Sequence, residues 1–78
     1  MDNVENNLVT YTDMRTTARL NYRTSCSFET DTVAGILEKG AIVKVKNDSE
    51  IVAYGFAWCE IKLRRKEFYV CKNWLETV

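Results

Sequence analysis

Ala18-Arg19-Leu20-Asn21-Tyr22-Arg23-Thr24-Ser25-Cys26-Ser27 is the stretch on which the fold turns. Ala18, Leu20 and Tyr22 alternate with Arg19, Asn21 and Arg23. A period of two marks a strand with one face buried. The alternation stops at Thr24-Ser25-Cys26-Ser27, whose hydroxyls can bond their own backbone and turn it. An amphipathic strand feeding a long polar loop is expected to be the first piece of a small barrel.

The rest of the chain reads outward from that strand. Phe28-Glu29-Thr30-Asp31 closes the loop, and 32–37 forms a second strand. Glu38-Lys39-Gly40 is a turn, with glycine where a positive φ is wanted. In the next strand, 41–46, Ala41, Val43 and Val45 share one face and Ile42, Lys44 and Lys46 the other. Asn47-Asp48-Ser49-Glu50 turns the chain. The apolar stretch 51–55 then either extends a hairpin or forms an exposed patch. A fourth strand, 56–63, puts Ala57, Cys59, Ile61 and Leu63 inward. Trp58, Glu60 and Lys62 take the other face with Phe56, which leaves Trp58 pointing away from the core centre. Arg64-Arg65-Lys66 is a charged hairpin tip, and Glu67-Phe68-Tyr69-Val70 returns from it. Cys71-Lys72-Asn73-Trp74 fits one 3-10 turn before a short last strand at 75–78. Residues 1–14 read as a linker or N-terminal arm that frays over its first six residues. Five or six short strands, no helical period beyond one turn and no proline predict an all-β domain, a small barrel or two packed sheets.

The wording of these strands resembles the bacterial SH3 (SH3b) domain family. The opening A-x-L-N-x-R stands here as Ala18, Leu20, Asn21 and Arg23. The pattern V-x-G-x-L-x-x-G-x-x-V-x-V stands as Val33, Gly35, Leu37, Gly40, Val43 and Val45, with every spacing kept. The ending runs from Trp58 and Ile61 through Phe68, Tyr69 and Val70 to Trp74 and Leu75. Five positions depart from the family: Ser25, Phe68 (glycine is usual at both), Cys26 (proline), Tyr69 (Trp) and Trp74 (Tyr). The resemblance implies an SH3-like barrel of five to six antiparallel strands over 15–78, with one 3-10 turn near the C-terminus. It also implies a unit of a larger cell-wall hydrolase or surface protein that binds wall peptide.

Composition bounds the function. Seventy-eight residues make one domain at most. With 46% hydrophobic and 28% charged residues the chain is ordinary globular material. Eleven basic and eleven acidic side chains cancel, so no general pull toward phosphate exists and nucleic acid is not an expected partner. Histidine is absent, which removes the usual general base and the commonest zinc ligand. Cys26, Cys59 and Cys71 have no C-x-x-C spacing, and their odd number leaves at least one thiol free. No metal or cofactor is expected. No signal peptide or apolar run of membrane-spanning length is read. The chain is therefore expected either as a domain excised from a larger protein, which the resemblance places at the cell wall, or as a cytoplasmic protein as it stands; the isolated domain is expected to be monomeric.

Glu29 and Asp31 are the one close carboxylate pair in the long loop, and a solvated loop tip accounts for them better than hydrolysis does. Cys26 has no histidine to activate it. No catalytic residue is expected. Cys59 reads as a small buried hydrophobe, with a Cys59–Cys71 bridge as the alternative. Recognition is the better reading: Trp58, Tyr69 and Tyr54 project from the core, with Trp74 and Phe28 bordering the same groove. Asn21, Arg23 and Thr24 supply hydrogen-bonding edges, and Glu29 supplies charge. Such a groove suits an extended peptide, of the cell wall or of a protein partner. Two alternatives stand beside it: the rings cover the open ends of the barrel, and Arg23 holds the loop through its carbonyls. The tip 64–66 either touches phosphate or keeps a sheet edge soluble.

Overall fold

A computed structural model of the chain describes residues 8–78. The expected fraying of the first six residues lies outside that range. The described residues form an all-β domain of eight strands: β1 (Tyr11–Thr16), β2 (Leu20–Arg23), β3 (Val33–Leu37), β4 (Ile42–Lys46), β5 (Ile51–Ala53), β6 (Phe56–Leu63), β7 (Lys66–Cys71) and β8 (Leu75–Thr77). Every pairing is antiparallel. The strands run in the order β3-β2-β7-β6-β4-β1-β8, with β5 pairing β6 beside that path. The sheet is thus not closed into a barrel: β3 and β8 stand at its ends. Two 3-10 turns complete it, Thr30–Thr32 and the expected one at Lys72–Trp74. No helix among the described residues is long and apolar enough to cross a membrane.

The strand count exceeds expectation for two reasons. Residues 51–53 do extend the hairpin, pairing with 56–58, and they also stay largely exposed. The stretch read as an arm ends in β1, which pairs with both β4 and β8. Its side chains alternate too weakly in polarity to signal a strand.

Alternation assigns the faces correctly. Val43 and Val45 of β4, Cys59 and Ile61 of β6, Val70 of β7 and Leu37 of β3 form one buried cluster. Leu20, Tyr22, Met14, Phe68 and Leu75 pack against it. Directly opposed residues of an antiparallel pair point the same way. The register therefore writes the outer face as rows: Asp13–Lys44–Lys62–Glu67, then Glu60–Tyr69–Arg23, then Ile51–Trp58–Cys71.

Thr16 is the buried polar residue at the end of β1. Its Oγ1 donates to Glu38 O at 2.7 Å and accepts from Ala41 N at 3.0 Å, tying β1 to the 38–41 turn. Gly40 sits at φ 88° in that turn, the expected positive value. The β5–β6 turn is Tyr54-Gly55 (φ 56° and 78°) and the β6–β7 turn is Arg64-Arg65 (φ 53° and 70°). Both are two-residue hairpin connections with two left-handed positions, the type that favours Asn-Gly. Without a glycine, the Arg64-Arg65 turn costs about 1–2 kcal/mol per residue.

Candidate functional site

The outer face carries most of the residues that the sequence singles out. Arg23 and Tyr69 are register partners on β2 and β7, and Tyr69 opposes Glu60 on β6. Asn21 lies two residues before Arg23 on β2 and is exposed. Arg23 holds the 24–32 loop: its guanidinium donates to Glu29 O at 2.9 Å and to Thr32 Oγ1 at 3.0 Å. Thr32 Oγ1 in turn donates to Glu29 O at 2.6 Å, and Thr24 N donates to Thr32 O at 2.8 Å. So Thr24 and the Glu29 main chain belong to the loop's own bonding. The Glu29 carboxylate is exposed.

The loop matters because of what it delivers. Phe28 lands on Trp58, with ring centroids 4.9 Å apart. The Arg23 guanidinium lies 5.4 Å from the Phe28 centroid on a cation-π path. Trp58 Nε1 donates to Ala53 O at 2.9 Å. Trp58 is therefore 1% exposed, and the expectation that it presents its ring to solvent is corrected. Alternation put it on the right face; the loop and the β5–β6 hairpin cover that face locally. Trp58 cannot itself be a docking surface.

The outermost rings are others. Phe28 is 46% exposed, Tyr54 67% and Phe56 37%. Phe28 meets Tyr54 at 6.1 Å and Phe56 at 5.4 Å, both edge-on. These three rings form an exposed cap in which Phe28 is the ring that touches Trp58, with exposed Ile51 beside it as the register partner of Trp58 on the neighbouring strand. Phe56 was missed because alternation alone gives it no loop partner. Trp74 is also exposed but stands in the 3-10 turn, with no ring contact to the cap.

A cavity of about 450 Å³ opens elsewhere, between Met14, Val45 and Cys59 on its floor and Lys46, Glu50 and Lys72 on its rim. Lys72 Nζ donates to Glu50 at 2.9 Å, and that bond holds the ammonium above its ordinary pKa. No cluster of three or more metal-ligating side chains occurs among the described residues.

All three cysteines are free thiols. Cys59 opposes Val70 and Cys71 opposes Trp58, so the two point to opposite faces and the alternative bridge does not form. Burial pushes the Cys59 thiol from 9.0 up to about 12, and raises Cys71 and Cys26 by the same cause. In the unfolded chain the Cys59 thiol ionises near 9.0, while the folded chain keeps it protonated to about 12. Folding thus binds protons, so the stability is whole below pH 9 and falls as pH rises above it. Urea midpoints measured from pH 8 to 10.5 should decline, and Cys59→Ala should flatten that decline. A midpoint that holds constant over this range would contradict the burial assigned to Cys59.

Comparison of the chain with protein-family models, with curated proteins and with solved structures gave no match.

Proposed function

We propose that this domain is a non-catalytic binding module that docks an extended peptide, in the manner of an SH3b-like roll opened into one sheet. The observation that carries the reading is the Phe28–Tyr54–Phe56 cap. Three exposed aromatic rings, Tyr54 and Phe56 each packed on Phe28, form an apolar patch of the kind that marks a recognition surface. The cap lies beside β5, whose only strand partner among the described residues is β6. The outer edge of β5 offers main-chain donors and acceptors to an added strand, and the rings offer seats for alternate side chains. Arg23 acts as the strut that keeps Phe28 in place.

The SH3b resemblance makes cell-wall peptide the ligand and a larger hydrolase or surface protein the carrier, outside the cell. A second reading, an intracellular bacterial or phage protein-interaction domain, is favoured by the three free thiols.

Sedimentation with purified peptidoglycan separates the two. Binding should fall at least fivefold in a Phe28→Ala/Tyr54→Ala variant whose CD spectrum is unchanged. Failure to sediment with any sacculus type would reject the wall and leave the intracellular reading. Trp58→Ala is the wrong probe, because it removes buried volume. A companion prediction concerns the strut: Arg23→Ala should cost about 1–2 kcal/mol and speed hydrogen exchange of the Thr24 and Thr32 amides. Unchanged exchange there would show that the loop holds itself.

A further inference from the structure

The β6–β7 hairpin end combines three observations that its role as a connection does not explain. Arg64 and Arg65 both occupy left-handed backbone, although the same turn type at Tyr54-Gly55 uses a glycine. Strain of this kind persists at sites of recognition more often than in plain connections. Arg64, Arg65 and Lys66 are all exposed, and none has a carboxylate within ion-pairing distance among the described residues, whereas five other cations do. Finally, a cavity of about 190 Å³ opens beneath the tip, lined by Tyr22, Leu63 and Phe68 with Arg64 and Lys66 at its rim.

We infer that this cavity is a second binding site, which takes the C-terminal residue of a peptide chain whose last side chain is apolar. The volume holds one branched aliphatic side chain. The Tyr22 and Phe68 rings, 4.8 Å apart and edge-on, form its apolar wall. Arg64 and Lys66 line the same cavity, so it has cations within side-chain reach of a terminal carboxylate as well as an apolar wall. An arginine fork matches a carboxylate with two parallel hydrogen bonds. A bare oxyanion would use the cations and leave the apolar wall idle; an internal peptide segment would use the wall and leave the cations idle. A chain terminus uses both. The site is separate from the aromatic cap and does not depend on the reading given to it.

The test uses the full chain and two probes, acetyl-Gly-Leu as the free acid and the same peptide as its C-terminal amide. In NMR titrations the acid should shift the amides of Tyr22 and of 63–68 with millimolar affinity, and the amide should bind at least fivefold more weakly. Arg64→Asn/Arg65→Gly should raise the melting temperature by about 5 °C, because Asn-Gly suits the turn, while weakening the acid by at least fivefold. Higher stability together with lost binding is a combination that misfolding cannot produce. Equal binding of acid and amide would overturn the proposal. So would undiminished binding in the Asn-Gly variant, shifts that map away from the hairpin, or inorganic phosphate displacing the acid at equal affinity.

Discussion

Ile61→Ala is expected to remove most of the stability of this domain. Ile61 is 0% exposed and sits on β6, between Val45 of β4 and Phe68 of β7. Truncating a fully enclosed isoleucine costs about 3–4 kcal/mol, because the transfer term and the void add. A domain of this size has a total on the order of 5 kcal/mol to lose. The cluster has few members, and both neighbouring strands are held on Ile61, so collapse around the void is restricted. Urea denaturation followed by far-UV CD should show the midpoint falling by more than half. Ile61→Val, losing one methyl, should cost only about 1 kcal/mol. An alanine variant within 1.5 kcal/mol of the parent would mean that the core lies elsewhere.

Gly35→Ala is expected to destabilise, against the usual sign of that substitution in a strand. Glycine weakens strand interiors, so alanine ordinarily helps. Here Gly35 opposes Tyr22 across β2 and β3, and a Cβ at Gly35 would overlap the Oη and Cζ atoms of that phenol. Tyr22 cannot simply swing away, because its ring packs against Phe68 and the buried cluster. Forcing it out should cost about 2–3 kcal/mol. The strain has one named source, so Tyr22→Ala should relieve it. Alanine at both positions should then be more stable than the sum of the single effects by at least about 1 kcal/mol. Strict additivity in that cycle would assign the glycine some other duty.

How far the sequence carries the fold follows from these residues. Val43, Val45, Cys59, Ile61 and Val70 lie on the face that period two gives them, because a strand's side-chain geometry is local. What covers the opposite face is not local. Trp58 is sealed by Phe28, thirty residues upstream in a polar loop, and no alternation within β6 can announce that. Arg23 was legible as a loop strut because its hydrogen-bonding partners lie within nine residues of it. The strand at Tyr11–Thr16 was illegible for the opposite reason: Met14 is the one apolar residue it sends to the core, too little for a period-two signal, and it gains its order from β4 and β8. Of the candidate site, the rings Phe28 and Tyr54 survive as a surface, Phe56 joins them, and Trp58 becomes their foundation.

The pairing of β1 with β8 sets a schedule for biosynthesis. Met14, Arg15 and Thr16 find Thr77, Glu76 and Leu75 only after nearly the whole intervening chain exists, and Arg15 reaches Glu76 across 61 positions. At ordinary ribosomal speed that delay is roughly 3–12 s. Throughout it one border of the nascent sheet stays unzipped, open to chaperones or to the wrong neighbour.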